Sequence, residues 1–304
     1  MKIAFMGSPQ FAADVLAGIL PHHEVVCVVT QPDAAVGRGQ KLQFNPVKRL
    51  ALANGIPVLQ PKKISLDLAP LLAFRPDIIV TCAFGQILRQ NVLDAAPHGV
   101  INVHGSLLPR YRGAAPIQWA VINGETTTGI TIAQTELGLD CGPIINQVST
   151  PIAPNETAGD LFARLPGIAV EALLTALTAI ANGTATFTPQ DDHQATNAPM
   201  LNKAMAKIDW QQNAVKIANL VRGLNPWPVA YFELDGAPVK VYAATALTGK
   251  AAAGAIVHCD PKNGLVIGCG QGCLRLDQLQ IAGKKVMTGA AFCNGRQLKT
   301  AKLN

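Results

Sequence analysis

Short, continuously apolar runs recur through the first third of the chain, each handing over through a polar turn to a stretch with apolar residues at helical spacing. Residues 2–6 (KIAFM) pass into Gly7-Ser8-Pro9 and then into 11–20; further runs at 24–30, 77–82 and 99–104 alternate with helical patterns near 46–54, 66–74 and 87–93. A strand that is apolar along its whole length has no solvent face, so both sides must be covered. That argues for a parallel sheet between helical layers, an α/β, Rossmann-like arrangement. Such sheets bind ligands beyond the carboxyl ends of their strands, so the loops after Met6, Thr30, Cys82 and His104 are where chemistry should lie.

The pattern then changes. A helix near 158–181 closes the first part, and 188–199, rich in Asp, Gln, Thr, Asn and Pro, reads as a linker. After a helix near 211–223 come β-prone runs at 229–234, 239–246, 254–258, 265–268 and 273–280, divided by Gly, Pro and Asp turns, which suggests a small barrel or sandwich. The expected organisation is a catalytic-type α/β domain over 1–189, a linker over 190–208 and a β domain over 209–304. A length of 304 residues fits two domains at roughly 150 residues each. Gly268-Cys269-Gly270-Gln271-Gly272 superficially resembles a phosphate loop, but β-prone runs flank it on both sides, so a hairpin turn is expected.

Composition narrows the function classes. Charged residues make up 14% of the chain against roughly 25% in an average soluble domain, while 49% are hydrophobic, which excludes disorder. No uninterrupted apolar run reaches the roughly 18 residues of a membrane span, and 169–181 carries Glu171. The opening run 3–6 is too short for a secretory leader, so no membrane partner is expected. Seven cysteines without a C-x-x-C pair argue against a disulfide framework and for a reducing cytoplasm. Cys269 and Cys273 lack companion ligands, so no metal is expected. The charge is lopsided: residues 1–209 hold 14 Lys and Arg against 15 Asp and Glu, whereas 210–304 hold 11 against 4. A basic surface confined to one domain is either a solvated face or the footprint of a polyanion. It would also repel itself at a symmetric contact, so a monomer is expected.

Asn102 and His104 end one predicted strand, and alternation along a strand puts both on one face, in one crevice. Histidine exchanges protons near neutral pH and an amide can donate to a developing oxyanion, the two needs of acyl transfer to an amine. The same pair could instead satisfy loop backbone and cap a turn. The following loop, Gly105 to Pro116, carries two leucines and two arginines, and Asp140 stands among the glycines of 136–142. A carboxylate beside His104 would orient its ring, although Asp140 could equally be a turn residue.

Asn102, His104, the run Ser106-Leu107-Leu108-Pro109 and Asp140 together resemble the signature of the formyltransferases that use 10-formyltetrahydrofolate. Residues 5–12 (FMGSPQFA), the loop Thr30-Gln31-Pro32-Asp33 with 37–42 (GRGQKL), and 221–230 (VRGLNPWPVA) resemble the branch of that family acting on initiator methionyl-tRNA. The resemblance implies a Rossmann-like catalytic domain joined to an OB-like barrel that assists tRNA binding. It implies Asn102, His104 and Asp140 as catalytic residues, with Ser106, Leu107, Leu108 and Pro109 and the Ala83-Phe84-Gly85 loop around the folate. Arg38 and its loop neighbour Lys41 would engage the tRNA acceptor end; Arg222, Lys284 and Lys285 are further tRNA-binding candidates on the basic C-terminal part. The formyl donor would be 10-formyltetrahydrofolate, with no metal. A sugar-nucleotide formyltransferase, sharing the Asn, His and Asp positions, is the alternative. The chain departs from the family pattern at Arg89, Trp119, Cys141 and Pro143, none of which removes a catalytic group.

Overall fold

A computed structural model describes residues 1–36, 41–294 and 303. The chain opens with β1 (Lys2–Gly7), α1 (Gln10–Ile19) and β2 (Glu24–Val29), followed by the hairpin strands β3 (Ala34–Val36) and β4 (Lys41–Gln43). Next come α2 (Pro46–Ala53), β5 (Val58–Leu59), α3 (Ala69–Leu72), β6 (Ile78–Cys82), α4 (Gln90–Leu93) and β7 (Val100–His104). Then α5 (Pro116–Ile122), β8 (Thr127–Gln134), β9 (Ile144–Pro151) and α6 (Ala158–Ala181) follow.

Seven strands form one sheet in the order β5-β2-β1-β6-β7-β8-β9. From β5 to β7 the neighbours are parallel. The strand order reverses between β1 and β6, so this is a doubly wound sheet whose crevice opens beyond Gly7 and Cys82. Gly7 is needed there: a Cβ on it would stand 2.7 Å from the Cys82 carbonyl and 2.8 Å from the Ala12 side chain. One face of the sheet buries Ala4, Met6, Cys27, Val29 and Ile79 with Leu71, Phe84 and Val92. Each large apolar side chain fully buried in this way contributes about 1.5–3 kcal/mol.

Two features differ from the sequence reading. The helices expected at 66–74 and 87–93 shrink to the single turns α3 and α4. Pro70 starts α3 and Pro76 follows its end, while Arg89, just before α4, is extended and Leu88 packs on the core, so a tertiary contact overrides local propensity. The strands β8 and β9 were not read at all. β8 runs antiparallel to β7, and β9, at the sheet edge, has no buried residue: exposed and half-buried positions alternate along its second half. β8 is buried from Thr128 to Ala133, but its threonines and glycine break the apolar run, and β9, half-wet and carrying Asn, Gln, Ser and Thr, lacks the continuous apolar signal of the parallel core.

Among the described helices α6 alone is long and apolar enough to cross a membrane by length and composition. Here its Leu161, Leu165, Ala169, Leu173, Ala176 and Leu177 are fully buried at helical spacing. Glycine 18 of α1 lies so close to Val170 that a Cβ would collide with it.

By contact density the chain divides into two units, one comprising Met1–Pro116, Thr128–Thr150 and Phe162–Pro199, the other Ile117–Thr127, Pro151–Leu161 and everything from Met200 onward. The second unit contains α7 (Ala214–Gly223), β10 (Ala230–Leu234), β11 (Ala237–Leu247), β12 (Ile256–Asp260), β13 (Gly264–Gly268), β14 (Cys273–Ile281), β15 (Met287–Thr288) and α8 (Gly289–Cys293). Its sheet runs β10-β11-β14-β13-β12, with β15 on β14 and every described pair antiparallel. Register shifts near Ala243 bend the long β11, as bulges do in coiled sheets. Residues 268–272 make the turn between β13 and β14, a hairpin and not a phosphate loop.

Candidate active site

β6 and β7 are paired so that Thr81 stands beside Asn102, and register partners on adjacent strands share a face. The buried Thr81 hydroxyl donates to Asn102 Oδ1 at 2.8 Å. That fixes which way the amide points: its Nδ2 faces Asp140 and donates to Oδ1 at 3.3 Å. His104, two residues on and 4% exposed, shares that face. Its Nε2 lies 2.9 Å from the Tyr111 carbonyl. A carbonyl can only accept, so Nε2 carries the hydrogen, and Nδ1 is the nitrogen that faces Asp140 Oδ2, at 3.6 Å.

Asp140 therefore meets both other members of the expected trio. Its backbone is in the left-handed region (φ 50°), which Asp tolerates better than most residues. Besides Asn102 and His104, its carboxylate accepts from the Gly113 backbone N–H at 2.8 Å. Gly113 has φ 124°, and a Cβ there would lie 2.7 Å from the Ala198 carbonyl, so only glycine brings that N–H to the carboxylate. Asn102, His104 and Asp140 thus form one hydrogen-bonded and electrostatic cluster at the end of β7.

The loop after His104 is built from inside. Thr131, the register partner of His104 on β8, is fully buried. Its hydroxyl donates to the Ser106 carbonyl at 2.6 Å and accepts from Leu108 N at 3.1 Å; Gln147 Nε2 donates to it at 2.9 Å and to the Leu108 carbonyl at 3.0 Å. The Ser106 hydroxyl donates to the Arg110 carbonyl at 2.7 Å, and Leu108 is buried, while Leu107 and Pro109 are half-buried. In the loop after β6, Ala83 and Gly85 are exposed with φ 48° and 78°, and Phe84 is buried in the core, its carbonyl held by Gln31 Nε2 at 2.8 Å. Leu107, Pro109, Ala83 and Gly85 therefore keep open surface, whereas the side chains of Ser106, Leu108 and Phe84 are taken up by the fold.

The loop after β2 is anchored by Asp33, which accepts from Lys48 Nζ at 2.6 Å and Gln60 Nε2 at 2.9 Å and whose carboxyl those contacts hold below the usual range. Lys48 also lies 4.0 Å above the Phe44 ring. This network stands at the base of the β3–β4 hairpin. Arg38 lies outside the described residues, as does the side chain of Lys41.

In the second unit, Lys284 and Lys285 are exposed in the turn between β14 and β15. Arg222, near the end of α7, donates to the Glu156 carbonyl at 2.8 Å and to Asn219 Oδ1 at 2.7 Å, and burial lowers its pKa. Much of its guanidinium is thus engaged within the protein. Among the described residues no cluster of three or more His, Cys, Asp or Glu is arranged to hold a metal ion, and all seven cysteines are free thiols. Burial pushes the Cys27 thiol up to about 12.

Sequence reasoning missed Thr81, the Tyr111 carbonyl, Thr131 and Gln190. Gln190, in the stretch read as a linker, donates from Nε2 to the carbonyls of Asp140 and Gly142 at 2.8 and 2.7 Å. Thr81 meets Asn102 through a strand register that neither run specifies by itself, and no local signal points to the others.

Residues 1–177 match the formyl transferase family and 200–297 its C-terminal domain. A methionyl-tRNA formyltransferase of Trichlorobacter lovleyi is 46% identical over 99% of this chain and 96% of that protein. Another from Agathobacter rectalis is 44% identical over 97% and 96%. Among solved structures, an N-formyltransferase of Helicobacter canadensis in complex with folinic acid and dTDP-3-aminofucose shares the fold at 20% identity, with a TM-score of 0.69 over 90% of this chain and 98% of that one. The chain therefore belongs to the formyl transferase family and, within it, to the methionyl-tRNA formyltransferases.

Proposed function

We propose that this enzyme moves the formyl group of 10-formyltetrahydrofolate to the amino group of methionine on initiator tRNA, with Asn102, His104 and Asp140 as its catalytic residues. The carrying observation is the orientation of the trio. Thr81 and Asp140 fix the Asn102 amide, whose NH2 has two hydrogens, one of them donated to Asp140. The other is available to the oxyanion that forms when the amine attacks the formyl carbon. With Nε2–H committed to Tyr111, His104 Nδ1 is the base that takes the amine proton, directly or through water. The imidazolium so formed has a carbonyl at one nitrogen and the Asp140 carboxylate at the other, so its charge is met on both sides. Returned to the departing N10 of the folate, that proton completes the transfer.

The exposed surface of Leu107, Pro109, Ala83 and Gly85 borders the same strand ends and suits the flat ring of a folate. On the acceptor side, Lys284 and Lys285, together with the C-terminal charge excess, supply a field for tRNA phosphates. The contribution of Arg222 is to order the end of α7. The enzyme works as a cytoplasmic monomer.

The test is an acceptor panel: labelled formyl transfer from 10-formyltetrahydrofolate to methionyl initiator tRNA, to elongator methionyl-tRNA and to an amino-sugar nucleotide. Formylation of the initiator alone is expected. Transfer to the sugar nucleotide instead would keep the chemistry and overturn the acceptor.

A further inference from the structure

The stretch that reads as a linker touches the catalytic cluster on two sides. On one side it holds Asp140. Gln190 donates both amide hydrogens, to the carbonyls of Asp140 and Gly142, and its Oε1 accepts from Arg112 Nε at 3.1 Å and Nη2 at 2.8 Å. Every polar valence of the side chain is therefore used. Arg112 is held in turn by Asp192 at 2.8 Å and by backbone bonds, its N–H to the Thr196 carbonyl and its carbonyl to the Ala198 N–H. On the other side the segment holds Tyr111, whose backbone N–H donates to Thr196 Oγ1 at 2.9 Å. Tyr111 supplies the carbonyl that orients His104.

Asp140 has special need of such support. It sits in a loop among glycines, in a backbone conformation that its neighbours must hold, and its carboxylate must meet Asn102, His104 and Gly113 together. The Asp140 and Gly142 carbonyls bracket the loop around Cys141, and one side chain clamps both to the arginine that immediately precedes Gly113 in the chain. Two of the groups that define the carboxylate's position, its own backbone and the Gly113 N–H, are thereby tied to a single carboxamide.

We propose that Gln190 is a positioning residue for the reaction, a clamp that sets the Asp140 carboxylate against His104 and Asn102 by holding the 140–142 loop to Arg112. This inference rests on the formyl-transfer reading above. It requires the amide specifically: the two carbonyls need N–H donors, and Arg112 needs an acceptor.

Two near-isosteric variants separate these needs. Gln190→Met keeps the volume and loses every polar contact. Gln190→Glu keeps an acceptor for Arg112 but turns a carboxylate toward two carbonyls. Steady-state kinetics with both substrates, thermal melting and His104→Ala run alongside form the test. Wild-type activity that His104→Ala abolishes establishes the parent reading independently of Gln190. Both Gln190 variants are then expected to lower kcat about 10- to 100-fold, as displacements of about an ångström in a catalytic group do, with KM for folate and tRNA within about twofold and melting cooperative. Gln190→Glu should be no better than Gln190→Met. The proposal is overturned if kcat is unchanged, if the loss lies in KM, or if Gln190→Glu keeps wild-type turnover, which would make Arg112 pairing the whole role. It is also overturned if neither variant folds, because the contacts would then hold the fold and not the site.

Discussion

The two units use polar residues in opposite ways. In the parallel-sheet unit, the proposed catalytic side chains are few, buried or half-buried, and multiply bonded: His104 is 4% exposed, and Asp140 meets three partners through its carboxylate and a fourth through its carbonyl. In the antiparallel unit, the functional candidates are numerous cations, with Lys284 and Lys285 fully open in a turn. Proton transfer and oxyanion stabilisation depend on tenths of an ångström, so their residues must be locked. Attraction of a polyanion depends on the summed field, so its residues need only be present and solvated. A substitution in the cluster of Asn102, His104 and Asp140 should therefore alter rate at constant affinity, and one at the exposed C-terminal lysines should alter affinity at constant rate.

The largest effect should come from removing the proposed base. His104→Ala is expected to lower turnover by about 10²- to 10⁴-fold, the span of general-base contributions, checked by single-turnover formyl transfer at saturating tRNA. Asn102→Ala should follow with about 10²- to 10³-fold, as single oxyanion donors do; a loss confined to tRNA affinity would move Asn102 from the chemical class to the binding class. Thr81→Val sharpens the same side of the comparison. It removes the hydroxyl that orients the Asn102 amide and should reproduce part of the Asn102→Ala loss in kcat, with KM unmoved.

On the other side, the double change of Lys284 and Lys285 to Gln should weaken tRNA binding and reduce the slope of log affinity against log salt by roughly one to two, with single-turnover rate unchanged. An unchanged slope would remove both residues from the interface. The smallest effect concerns stability alone. Asp160 caps α6 through the Thr157 N–H and hydroxyl, at 2.9 and 2.7 Å, and those bonds hold its carboxyl below the usual range. A lowered folded-state pKa means that its stabilisation is present above the ordinary carboxylate range and is lost as pH falls through the folded value. Asp160→Asn should thus cost no more than a few tenths of a kcal/mol near neutral pH, because the carboxylate is exposed and screened and Asn keeps an acceptor, with the difference closing in acid, as read by urea titration at two pH values.

The contrast also explains what the sequence could and could not disclose. Asn102 and His104 were legible because strand alternation alone puts them on one face, and the C-terminal charge excess was legible because a field needs only a count. The doubly wound core was legible through its uninterrupted apolar strands. β8 and β9 were not: β8, which brings Thr131 beside His104, is an interior strand whose buried threonines and glycine interrupt its apolar run, and β9 is an edge strand with a wet face. Asp140 stood out among the glycines of 136–142 with a turn residue as the equal alternative, and resemblance to the family decided between them; its contact with His104, 36 residues away in sequence, depends on how the 105–142 segment folds back. Gln190 reaches Asp140 across a separation of 50 residues, from a stretch whose composition says only that it is polar.

On this reading the chemistry of Asn102, His104 and Asp140 is separable from the attraction of tRNA by Lys284 and Lys285. The most direct test measures, for His104→Ala and for the Lys284, Lys285 double variant, both the single-turnover rate of formyl transfer at saturating tRNA and the tRNA dissociation constant across a salt series. His104→Ala is expected to lose the rate and keep wild-type affinity and salt slope, while the lysine variant keeps the rate and loses affinity and slope. Rate and affinity falling together in either variant would contradict it.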